Sequence, residues 1–198
     1  MKLHHVATAL LFTATMAIAS PEIGKPAPAF TLTDSNGKSH SLSDFKGKFV
    51  VLEWVNFGCP FVKKFYDSGE MQKLQAAHTG KDVVWLSICS SAEGKQGHHT
   101  PAELQAKLES IGYKGTGYLI DADGTVGKSY NARTTPEMFV INPEGVLIYK
   151  GAIDDKPSTD SADIASARNF VAAALGEATS GQAVTTAETK PYGCSVKY

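Results

Sequence analysis

From Phe30 to Leu42 the chain reads FTLTDSNGKSHSL, two short runs of alternating apolar and polar residues around Asp34-Ser35-Asn36-Gly37. Period-two alternation marks a half-buried strand, and Asn-Gly supplies the positive φ angles of a tight turn, so a β-hairpin is expected here. Phe49 to Val55, FVVLEWV, is almost continuously β-branched or aromatic, the pattern of a central strand covered on both faces. Phe61, Val62 and Phe65 then fall at helical spacing, Gly69 interrupts, and Met71 and Leu74 resume. Two short helices, or one kinked helix, are expected, with Asp67 and Glu70 spaced like a capping box.

Asp82 to Ile88, DVVWLSI, reads as a second buried strand, parallel to the first because a helical crossover separates them. Thr100-Pro101-Ala102-Glu103 combines an N-cap, a proline at the first helical position and a reciprocal glutamate; Leu104, Leu108 and Ile111 mark one face of the helix, and Gly112 ends it. The runs 138–141 and 146–149 flank Asn142-Pro143-Glu144-Gly145, a second hairpin. Ile164, Ala167, Val171 and Leu175 predict a last helix stopped by Gly176. This order of elements describes an α/β fold, a mixed central sheet flanked by helices behind an N-terminal β-hairpin.

The N-terminus follows a different pattern. Lys2 precedes the apolar run VATALLFTATMAI and small residues at Ala17 and Ala19, as in a secretory signal peptide cut near Ala19. The run falls short of the ~20 apolar residues that span a membrane, so no stable anchor is expected. The chain therefore divides into a signal peptide at 1–19, a folded domain at 20–176, and a polar, poorly periodic tail at 177–198 that carries Cys194. An exported protein, periplasmic or secreted, is expected.

Composition narrows the partners. The formal net charge is −1, with no basic run longer than Lys63-Lys64, so nucleic acid is not an expected partner. Three cysteines, Cys59, Cys89 and Cys194, are too few for a disulfide scaffold and leave one thiol over in any internal pairing. No metal site or cofactor is expected. His98-His99 lacks a third ligand, and Asp121-Ala122-Asp123-Gly124 reads as a turn, since Ala132 stands where a calcium loop needs its last carboxylate.

Cys59 is where the pattern turns chemical. It sits at the junction of strand and helix, followed by Pro60, so its sulfur would meet the free N–H groups and positive dipole end of the helix. Both favour the thiolate, the nucleophile of disulfide exchange and peroxide attack, and Lys63 and Lys64 would add positive charge within the first turn. Glu53, embedded in an apolar strand, is expected to have a raised pKa and a proton-transfer role; a structural glutamate held by a lysine is the alternative.

A strand ending in a cysteine at a helix start, with Thr135-Pro136 ahead of the later hairpin, resembles the thioredoxin fold. The opening GKPAPAFTLTDSNGKSHSL, and the span from Gly24 to Leu175, resembles the redoxin family named for alkyl hydroperoxide reductase and thiol-specific antioxidant. The ending TKPYGCSVKY resembles that of a peroxiredoxin-like subgroup. The resemblance implies that Thr135-Pro136 forms a cis-proline loop facing Cys59, that Glu53 takes the place of the buried acid of thioredoxins, and that Arg133 stabilises the thiolate or orients an acidic substrate. Thioredoxins carry a second cysteine where this chain has Val62, so the resolving thiol lies elsewhere: Cys194, or alternatively Cys89. Peroxiredoxins carry a proline and a threonine or serine where Leu52 and Asn56 stand; Asn56 could still offer hydrogen bonds to a peroxide or substrate.

Two functions follow as expectations. In the first, Cys59 attacks a protein disulfide or a small peroxide, and a second thiol, or an external thiol reductant, resolves the product. In the second, the fold is a non-catalytic module that binds an extended partner segment beside Thr135 and Pro136. A copper-handling role is weakest, because no close Cys-Cys pair is present.

Overall fold

Seven strands form one mixed sheet in the order β2-β1-β5-β4-β3-β7-β8 in a computed structural model that describes residues 20–80 and 82–198. The signal-peptide segment, 1–19, lies outside the described residues. Strands β1 (Thr31–Asp34) and β2 (Ser39–Ser41) make the expected hairpin. Gly37 takes φ +78° at its turn, and Asp34 Oδ1 accepts from the N–H groups of Asn36 and Lys38.

Strand β3 (Phe49–Trp54) runs through the centre, parallel to β4 (Val83–Cys89) and antiparallel to β7 (Glu137–Ile141), which turns into β8 (Leu147–Gly151). Its side chains alternate between two cores. Val50, Leu52 and Trp54 join Phe30, Leu86, Ile88 and Phe139 on one face; Val51 and Val55 join Cys59, Val62, Phe65, Trp85 and Val171 on the other. Both faces are apolar because both are covered, which is why the strand reads as a continuous hydrophobic run.

Helices α1 (Pro60–Asp67) and α2 (Glu70–His78) are separate, as expected, but no capping box joins Asp67 to Glu70. Gly69 is the N-cap of α2 at φ +79°, a left-handed conformation that glycine adopts without steric cost. Helix α3 (Pro101–Ser110) has the expected capping box between Thr100 and Glu103. The elements with no signal in the sequence include β5 (Gly117–Ile120), parallel to β4 and antiparallel to β1, and the short α4 (Thr125–Ser129).

The last helix differs from expectation. Residues Ser161–Ser166 form a 3-10 turn carrying Ile164, Ala167 ends it, and α5 (Phe170–Thr179) starts at the N-cap Asn169, whose side chain accepts from Ala172 N–H. Gly176 lies inside α5. The side-chain cap at Asn169 fixes the helix start more strongly than apolar spacing could.

The polar tail folds back over the sheet. Lys150 N–H donates to Ala187 O and Thr189 N–H to Lys150 O, laying the tail along β8. Further on, β9 (Cys194–Ser195) pairs antiparallel with β6 (Thr134–Thr135). The Thr135-Pro136 peptide bond between β6 and β7 is cis. No helix among the described residues is long and apolar enough to cross a membrane.

Candidate functional site: a cysteine pair at the cis-proline loop

Cys59 is the N-cap of α1 and Pro60 its first residue, so the sulfur sits where the strand hands over to the helix. Its N–H donates to Asn56 O, and its own carbonyl accepts from Val62 and Lys63, closing the turn. The side chain is fully buried. Across from it, the register pairs Thr135 with Cys194, and the two sulfurs lie 2.7 Å apart, with Thr135 O 3.1 Å from Cys59 Sγ.

Burial pushes the Cys59 thiol up, but the Cys194 thiol, the Thr135 side chain and the backbone N–H groups of Val62 and Cys194, all of which favour the ionised sulfur, more than offset it and leave the thiol below its ordinary value. Cys194 moves the other way, to about 11, raised by burial and by the Cys59 sulfur it faces. The pair therefore holds one proton more tightly than the other, and Cys59 is the sulfur that gives up its proton first. Thr135 Oγ1 is buried and has no hydrogen-bond partner while Cys59 is a thiol, which leaves it as a donor for the thiolate.

The strap that carries Cys194 is clamped on both sides. Before it, the Tyr192 ring packs edge-on against Phe61 of α1 at 5.9 Å, and its hydroxyl donates to Asp154. Gly193 takes φ +135°, and a Cβ there would come within 2.1 Å of Thr135 O, so the closest approach of strap and loop requires glycine. After it, Val196 N–H donates to Arg133 O, Lys197 O accepts from Ala92 N–H, and Tyr198 donates to Ala132 O.

Lys64 does not approach the sulfur. It is buried, 3.4 Å from Asp154 Oδ2, and donates to Lys156 O at 2.8 Å. Its position on the helix points it at the loop after β8 rather than at the N-terminus, so the expected charge in the first turn is left to Lys63. Asn56 is likewise engaged in structure: its Nδ2 donates to Gln96 O, and its Oδ1 accepts from Gly58 N–H, each at 2.8 Å. Arg133 is exposed and turns its Nε toward Asn131, 3.4 Å away, instead of toward Cys59. It serves the site through its backbone carbonyl.

Glu53 is fully buried and held by neutral donors, not by a lysine. Tyr66 donates at 2.9 Å, Trp85 at 2.9 Å, Ser87 at 2.8 Å and Gln75 at 3.4 Å. Burial raises its pKa in spite of these four donors. Cys59 is not among its hydrogen-bond partners. Cys89 is also buried, its thiol 3.4 Å from Gly97 O, at the mouth of a small hollow lined by His98, His99 and Tyr118. The structure thus brings together Cys59, Pro60, Thr135, Pro136 and Cys194, and leaves Glu53, Asn56, Arg133 and Cys89 outside the contact. Tyr192, Gly193 and Asp154 were not singled out from sequence, and Phe61 only as an apolar helix position; their contacts join segments far apart in the chain.

A central parallel pair flanked by helices, a cysteine at a helix start and a facing cis-proline define a thioredoxin-like protein. Residues 23–150 match the AhpC/TSA family, and the chain belongs to that family. Curated relatives include the thiol-disulfide oxidoreductase ResA of Bacillus subtilis, 31% identical over 63% of this chain and 64% of the relative. The chain thus spans a little under two thirds of that relative's length. Peroxiredoxin-2 of Cricetulus griseus is 30% identical over 75% of this chain and 77% of the relative. Among solved structures, a hypothetical protein from Sinorhizobium meliloti superposes with a TM-score of 0.76 at 26% identity, covering 91% of this chain and 96% of that one. An uncharacterized conserved protein from Geobacillus kaustophilus gives 0.75 at 28% identity, covering 89% and 92%.

Proposed function

We propose that this is an exported thiol–disulfide oxidoreductase whose working unit is the Cys59–Cys194 pair. The observation that carries the reading is the 2.7 Å approach of the two sulfurs across the β6–β9 pairing. Cys59, the lower-pKa sulfur, is the nucleophile that closes the internal disulfide, and Cys194 is the second thiol of that bond. Pro60, Thr135 and Pro136 shape the walls of the site. Disulfide exchange is favoured over peroxide reduction, because a second thiol stands against Cys59 and the Asn56 side chain is engaged in loop hydrogen bonds. The edge of β6, where an extended partner would pair in a non-catalytic module, is taken by the chain's own β9. Protein disulfides are the proposed substrates and an external thiol the proposed reductant, in keeping with the names of the thiol-disulfide oxidoreductase relatives.

The test is alkylation of each cysteine in the reduced protein across a pH range, followed by exposure to either a peptide disulfide or hydrogen peroxide. Cys59 should be trapped with a midpoint below the ~8.5 of a free thiol, and the peptide disulfide should oxidise the pair faster than peroxide does. Failure of both oxidants to join Cys59 to Cys194 would overturn the enzyme, and faster oxidation by peroxide would make it a peroxidase. Export predicts an N-terminus at Ser20 in the processed protein; recovery of the chain with Met1 intact from the exported fraction would contradict cleavage.

A further inference from the structure

The accessibility of the two sulfurs runs opposite to their acidity. Cys59 is fully buried, at 0% exposure, beneath the strap, whereas Cys194 remains partly exposed on the strap itself. The strap is not loosely laid: Tyr192 and Asp154 hold it before the cysteine, and Val196, Lys197 and Tyr198 hold it after. Reaching Cys59 directly would mean lifting a segment anchored on both sides, but reaching Cys194 requires no such opening.

Resting on the redox pair proposed above, we propose that Cys194 is the sulfur that forms the mixed disulfide with a protein partner, while Cys59 works beneath it as the internal nucleophile. This reverses the usual division of labour between an outer attacking cysteine and a buried resolving one. It also gives the strap a function, since it carries the exchanging sulfur to the surface while keeping the thiolate out of solvent.

The exchange balances with one proton on the pair, held by Cys194, the less acidic of the two sulfurs. As Cys194 Sγ attacks a partner disulfide, the partner's S–S bond breaks, and the departing partner sulfur leaves with the Cys194 proton as a thiol while Cys59 keeps the charge. Cys59 Sγ then attacks Cys194 Sγ, the Cys59–Cys194 disulfide forms, and the second partner sulfur leaves as a thiolate. Two electrons pass to the partner disulfide, which ends as one thiol and one thiolate. Run in reverse, a partner dithiol attacks the exposed Cys194 and expels Cys59, whose stabilised thiolate is the better leaving group.

The experiment uses the full chain in a Cys89→Ser background, offered a labelled peptide joined by a disulfide to an aromatic leaving thiol. Cys59→Ser should capture the peptide on Cys194 and keep it. Cys194→Ser preserves the strap and should capture the peptide on Cys59 at least about tenfold more slowly, despite the lower pKa of that thiol, because access now limits attack. Circular dichroism of both variants excludes unfolding as the cause. Adding Tyr192→Ala to Cys194→Ser releases the strap and should restore capture at Cys59. Faster capture by Cys194→Ser than by Cys59→Ser would overturn the assignment of the outer sulfur. If neither variant captures the peptide, and the unaltered pair fails to oxidise, the redox reading itself falls.

Discussion

Glu53 and Cys59 are both buried at the end of the sheet that meets α1, and they respond to pH with opposite sign. Burial raises the Glu53 carboxyl above its ordinary range, so its contribution to stability is fully present below its unfolded value of about 4.3 and is lost as pH rises through the folded value. Urea unfolding of the protein should therefore weaken with rising pH relative to Glu53→Gln, which does not titrate. Parallel curves for the two proteins would contradict a raised pKa. The thiol-exchange pH profile of Glu53→Gln should match that of the parent, because Tyr66, Gln75, Trp85 and Ser87, not Cys59, hold the carboxyl. The lowered Cys59 thiol works the other way. In the reduced protein its contribution is present above the unfolded value of about 8.5 and is lost as pH falls through the folded value.

At the scale of elements, the strap depends on contacts between segments far apart in sequence. Gly193→Ala places a Cβ within 2.1 Å of Thr135 O at a backbone φ of +135°, so β9 must move off β6. Cys59 should then be alkylated faster than in the parent; an unchanged rate would show that the strap does not limit access. The clamp beneath Tyr192 is the buried Lys64–Asp154 pair, and Lys64→Met strands the Asp154 carboxylate, which should cost about 3–5 kcal/mol in urea unfolding. A loss within experimental error would mean that Tyr192 and Lys156 N–H suffice to hold the carboxylate.

What could be read locally was read from local signals. The hairpin at Asn36-Gly37, the capping box at Thr100 and Glu103, and the continuous apolar runs of β3 and β4 each declare themselves within a few residues. β5, with four residues, and β6 and β9, with two each, are strands only because a distant partner completes their hydrogen bonds. In the site, the helix start marked Cys59, whereas the side chains of Lys64, Asn56 and Arg133 turn to partners other than its sulfur. A sequence shows that a side chain is near a site in the chain, but not which way it turns when Asp154, Gln96 or Asn131 competes for it.

For the molecule as a whole, closing Cys59 to Cys194 ties together residues 135 positions apart. Chain entropy alone predicts that the oxidised form resists urea by up to about 5 kcal/mol more than the reduced form, less what the reduced form gains from its stabilised thiolate. This redox dependence should survive Cys89→Ser and vanish in Cys194→Ser, so equal stabilities of the oxidised and reduced parent would argue against the link. The most direct measurement is a disulfide map of the protein after one equivalent of a small disulfide oxidant, read by mass spectrometry under non-reducing digestion. The account predicts one linked peptide pair, Cys59 with Cys194, and Cys89 recovered as a free thiol. A Cys59–Cys89 link, or oxidation that leaves Cys59 and Cys194 unjoined, would contradict it.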